Sequence, residues 1–118
     1  MRVYSLVVRN IKDFDECNKL SEEIERLDLR RYVFDECAYY KKEHEVIFTR
    51  CEPEEWQYYE KQMEDLSRKF PDFTFELSCS ENMNHWREYY KNGETEFCAG
   101  DIVYERPRQI PWDELLVF

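Results

Sequence analysis

Two histidines, five cysteines and 27 acidic residues are the groups from which this 118-residue chain could build chemistry. Their spacing argues against most of it. A compact zinc site needs three or four ligands at matched spacing. His44 and His85 stand far apart, and no second histidine or cysteine lies two or four positions from either. Cys17, Cys37, Cys51, Cys79 and Cys98 form an odd set without a CxxC pair. Each falls in a segment patterned as helix or strand, which suits small core residues of a cytoplasmic protein. Cys51 precedes a helix, whose N-terminus could activate a thiol, but Glu52, Glu54 and Glu55 oppose thiolate formation. The carboxylate pairs Asp15-Glu16, Glu22-Glu23, Glu54-Glu55, Glu64-Asp65 and Asp113-Glu114 lie in charged surroundings. General acid catalysis needs burial to raise one pKa, and solvated helix faces do not supply it. Two glycines leave no phosphate-cradling loop, and no nucleophile elbow is present. The expectation is a protein that is not an enzyme and carries no cofactor and no metal.

The elements that would position any site follow from periodicity. Residues 2–9 read as a strand apolar at most positions, which suits the centre of a sheet. Asn10 offers an N-cap, and Ile11, Phe14, Cys17, Leu20, Ile24 and Leu27 form one apolar helical stripe. Residues 31–40 and 45–51 are dense in β-branched and aromatic side chains, so the polar link 41–44 predicts a hairpin. Pro53 suits the first turn of a second helix, along which Trp56, Tyr59, Met63, Leu66 and Phe70 keep three-four spacing before Pro71 stops it. Phe73, Phe75, Leu77 and Cys79 then alternate with polar residues as a half-buried strand. Two aromatic runs from Trp86 to Arg106 flank Asn92-Gly93, the dipeptide suited to a type I′ turn. The order predicts an α+β, ferredoxin-like split βαββαβ domain over residues 1–106. An added C-terminal hairpin extends an antiparallel sheet that carries both helices on one face. Residues 107–118 are expected to pack as a tail on the domain or a partner.

The run FPDFTFELSCSENMNHWREYYKNGETEFCAGDIVYERP resembles the C-terminal half of YubB-type ferredoxin-like proteins of plasmids, phages and other mobile elements. The shared features are a helix, a Phe-Pro-Asp stop, an alternating strand, and an aromatic strand closed by Lys-Asn-Gly, over about residues 52–106. The resemblance implies the fold and a mobile-element setting. It transfers no catalytic residue.

A net charge of −10 disfavours direct nucleic-acid binding and favours basic partners. No apolar run is long enough to span a membrane. One candidate partner surface is the acidic helix face of Glu22, Glu23, Glu55, Glu60, Glu64 and Asp65, although Lys12, Lys19, Arg26, Lys61, Arg68 and Lys69 interrupt it. The other is the aromatic hairpin face of Trp86, Arg87, Tyr89, Tyr90 and Tyr104. Trp112, Leu115, Leu116 and Phe118 would serve self-association as a homodimer. These features, together with the mobile-element setting that the resemblance implies, predict a non-catalytic acidic inhibitor of a basic bacterial defence nuclease, an anti-CRISPR or antirestriction role. A structural or self-associating module, and a protein that sequesters a small ligand such as a nucleotide, remain the alternatives.

Overall fold

Alternation along the first strand decides which side of the sheet becomes the core. In the computed structural model, which describes residues 2–27, 34, 36–49 and 55–98, β1 (Val3–Arg9) buries Tyr4, Leu6 and Val8 and leaves the residues between them half-buried. The other strands are β2 (Glu36–Tyr40), β3 (Glu45–Thr49), β4 (Thr74–Glu81), β5 (Asn84–Lys91) and β6 (Glu94–Cys98). They form one six-stranded sheet in the order β2-β3-β1-β4-β5-β6, antiparallel throughout. The central place expected for the first strand is therefore observed. Register continues its inward face across the sheet: Leu6 opposes Phe48 and Leu77, and Val8 opposes Val46 and Phe75.

Among the described residues two helices, α1 (Phe14–Arg26) and α2 (Tyr59–Lys69), cover this face. Cys17, Leu20 and Ile24 of α1 and Met63 and Leu66 of α2 join Tyr4, Leu6 and Val8 in one apolar cluster. Phe14 meets Tyr39 of β2, with ring centroids 6.1 Å apart, and Tyr59 meets Tyr4 of β1 at 5.8 Å. Each helix links strands that are separated in the sheet by one antiparallel neighbour. The result is an α+β architecture of two interlocked crossovers, extended by the β5–β6 hairpin.

Three local expectations are corrected. Asn10 does not cap α1. Asp13 does, its Oδ1 accepting the Glu16 N–H at 3.0 Å while Glu16 Oε1 accepts the Lys12 N–H at 2.7 Å. Asn10 instead takes a φ of 73°, which asparagine tolerates better than most residues, and turns the chain out of β1. Second, α2 starts at Tyr59 rather than near Pro53, because Trp56 is used as a core side chain ahead of the helix. Its ring stands edge-on to Tyr4 at 5.3 Å and to Phe34 at 5.7 Å. Third, Phe34, expected within the strand over 31–40, is buried outside any strand, and β2 runs Glu36–Tyr40; residues 31–33 and 35 lie outside the described residues.

The hairpin turn is as expected: Asn92 and Gly93 both have positive φ, 48° and 83°. The turn is also docked. Gly93 N–H donates to Ser67 Oγ of α2 at 2.8 Å, and an added Cβ would lie 2.6 Å from Arg68 Nε. His44 is likewise a turn residue, with φ 56° and Nδ1 lying 2.9 Å from the Ile11 carbonyl oxygen.

Candidate partner-binding cleft

Trp86, Glu88 and Tyr90 occupy alternate positions of β5, so they share the face that the helices cover. This puts a carboxylate among aromatic rings. Glu88 Oε2 accepts hydrogen bonds from the Tyr59 hydroxyl of α2 at 2.7 Å and from Trp86 Nε1 at 2.8 Å; Oε1 accepts the Tyr90 hydroxyl at 2.5 Å. Burial first, and then the bond to Glu88, pushes the Tyr59 and Tyr90 pKa values well above the ordinary phenol. Both hydroxyls therefore keep their protons and donate. Glu88 is buried, yet among the described residues no cation pairs with it.

Beside this cluster lies an open cleft of about 520 Å³ lined by Tyr59, Glu60, Asn84, Trp86, Glu88, Thr95 and Phe97. Its walls come from α2, β5 and β6. Phe97 is 64% exposed, an unusual place for a phenylalanine ring. The Arg2 guanidinium sits over Tyr59 and Trp86, 5.7 and 5.1 Å from their centroids, and its Nε donates to Glu81 at 2.6 Å. These rings already hold one arginine.

The sequence-predicted sites are redistributed by the pleat. Trp86 and Tyr90 face the helices, whereas Arg87 and Tyr89 point to the opposite side of β5, so the aromatic hairpin does not present one face. Tyr90 and Arg87 are buried. Of the acidic set, Glu23 is buried and paired with Arg26 and with Lys69 Nζ at 2.9 Å. Asp65 is paired with Arg68 at 3.1 Å and Lys61 at 3.7 Å. Glu22 and Glu60 are exposed and Glu64 is partly so, while Glu55, also exposed, has partners of its own. Glu60 adjoins β6 across the cleft, and Glu94 and Glu96 are exposed on β6 itself. Tyr104, Trp112, Leu115, Leu116 and Phe118 lie outside the described residues.

Sequence reasoning missed Glu88 and Phe97. The signal was present in Trp86-x-Glu88-x-Tyr90, an acid at a core-facing position of an aromatic strand. It also missed a charged row on the sheet face away from the helices. There Arg9 bridges Glu45 at 3.3 Å and Glu76 at 3.5 Å, and Arg87 stands 3.9 Å from Glu76. Glu45, Glu76 and Arg87 are buried, which suits a structural network across β3, β1, β4 and β5. Compared with known proteins, the chain matches no family model, no curated protein and no solved structure.

Proposed function

We propose that the protein is a non-catalytic acidic binding protein that inhibits a basic nucleic-acid-handling enzyme of a bacterial defence system. The observation that carries this reading is the exposed acid along β6 and its neighbour helix: Glu60 lies beside the exposed ring of Phe97 on the helix side, and Glu94 and Glu96 line the opposite pleat of the same strand. Interfaces of this type use an aromatic anchor for affinity and surrounding charge for steering and partner choice. The strand order β2-β3-β1-β4 supports a ferredoxin-like core with an added hairpin. The resemblance of residues 52–106 to YubB-type proteins supports a phage or mobile-element setting, and thiols at Cys17 and Cys79 that form no disulfide support a cytoplasmic one.

Acidic walls oppose nucleotide sequestration, since the described cleft would repel phosphate. Self-association would use Trp112 to Phe118, which lie outside the described residues.

The test is DNA cleavage by purified restriction and CRISPR nucleases with and without the protein. The expected result is inhibition of a basic enzyme that weakens with added salt and falls at least about tenfold when Glu60, Glu94 and Glu96 are all changed to Lys. Unchanged inhibition by that triple variant would overturn the assignment of the surface. Failure to inhibit any of the enzymes would overturn the role.

A further inference from the structure

We propose that the cleft between α2 and the β5–β6 hairpin is a receptor for a single arginine side chain of the basic partner, a site that rests on the reading above and gives it a chemical address. Four observations converge on this occupant. The cleft is of a size that holds a side chain or small ligand, about 520 Å³. Three of its walls are the rings of Tyr59, Trp86 and Phe97, and aromatic faces attract cations. Two carboxylates, Glu60 and Glu88, line it as well, and Glu88 is buried without a described cation to balance it.

The fourth observation selects arginine over lysine. Two of the same rings already accept the guanidinium of Arg2. A guanidinium is planar, stacks on an aromatic face and can also present its edge to a carboxylate, here the exposed Glu60. Arg2 is not one of the residues that line the cleft, and among the described residues no cation lies over Phe97. The Phe97 ring and the Glu60 carboxylate are therefore available to the incoming side chain. Glu88 adds to the attraction indirectly. Hydrogen bonds from the Tyr59 hydroxyl and the Trp86 indole to its carboxylate draw electron density towards both rings, since such networks polarise along their length.

The test uses the full chain and two small probes, N-acetyl-L-arginine amide and its neutral isostere N-acetyl-L-citrulline amide. Binding is read from the NMR shift of the Trp86 indole N–H, assigned by Trp86→Phe. Saturable binding of the arginine probe at least about tenfold tighter than the citrulline probe is expected. Phe97→Leu, which keeps an apolar side chain but removes the π face, and Glu60→Gln should each weaken the arginine probe several-fold. Phe97 is exposed, so the first change does not threaten the core.

Equal binding of the two probes, no shift at Trp86, or retention of arginine affinity in both variants would overturn the proposal. The two readings fail separately. If charge reversal at Glu60, Glu94 and Glu96 abolishes enzyme inhibition while Phe97→Leu leaves it intact, the arginine receptor falls and the acidic surface stands. If the arginine probe behaves as expected but no basic enzyme is inhibited, the receptor stands and the inhibitory role falls.

Discussion

Replacing Glu88 with leucine tests whether the buried carboxylate organises the α2–β5 contact. The change deletes the acceptor for three donors. Tyr90 is fully buried, and its hydroxyl donates to Glu88 at 2.5 Å, so it would be stranded. An unsatisfied buried donor costs about 1–3 kcal/mol. Tyr59 and Trp86 line the open cleft, so water can replace part of what they lose, at no more than about 1 kcal/mol each. Leucine offsets some of this, because it carries no desolvated charge and buries apolar surface, worth about 1–2 kcal/mol. The expected net loss is about 1–2 kcal/mol, a sizeable fraction of a typical domain's stability. Urea unfolding would register it as a midpoint shift of roughly 1 M. Glu88→Gln keeps an oxygen for Tyr59 and Trp86 and lets the Tyr90 hydroxyl reverse and accept, so it should cost about 1 kcal/mol. The decisive quantity is the coupling with Tyr90→Phe. If the bond is energetic, Glu88→Leu and Tyr90→Phe together should cost about 1–2 kcal/mol less than the sum of the two single losses. Additivity within about 0.5 kcal/mol would refute the reasoning.

Gly93→Ala should destabilise by about 1–2 kcal/mol through its positive φ, plus a smaller amount from crowding Arg68. Thermal unfolding in an Arg68→Ala background should recover only that smaller part. The Glu23 carboxyl is held down at about 2, first by its hydrogen bond from Arg26 and then by Lys69, against an ordinary value of 4.5. A depressed folded pKa stabilises above the unfolded value and loses its effect as pH falls, so Glu23→Gln should be less stable than the parent at neutral pH. Urea titrations should show that gap closing between pH 4.5 and about 2. Burial raises the Cys17 thiol to about 11 and Cys79 to about 12, so an aromatic disulfide reagent at pH 8 should leave both unmodified until the chain is unfolded.

The α+β class and the order of elements along the chain could be inferred because the local rules agreed with one another. Period-two alternation in Phe73 to Cys79, the Asn92-Gly93 turn and the Leu20/Ile24 and Met63/Leu66 stripes each have one good structural solution. Element starts were misplaced where tertiary packing overrode a local signal. Trp56 fits a helical stripe, but its indole is more fully buried ahead of the helix, against Tyr4 and Phe34. Asn10 is as good a cap as Asp13, and only the need to reverse direction after β1 separates them. The site was harder to read for a different reason. The residues that line the candidate cleft come from α2, β5 and β6, and one sequence does not say which acid meets which ring. Strand pleating sent Arg87 and Tyr89 to one side and Trp86 and Tyr90 to the other. Ion pairing by Lys69, Arg26, Lys61 and Arg68 then neutralised acids that had looked equivalent to Glu60.

Among the described residues β6 ends the strand order, and an outermost strand is a template for unwanted pairing with another chain. Here the composition of the strand acts as a filter. If a second copy of β6 pairs antiparallel about Thr95, Glu94 of each chain falls opposite Glu96 of the other. The like charges meet twice in a five-residue strand, and direct like-charge pairing is destabilising. A segment carrying Lys or Arg at the same two positions meets attraction instead. The composition of this strand thus works by repulsion: the carboxylates that would attract a cationic segment oppose the pairing of β6 with a second β6.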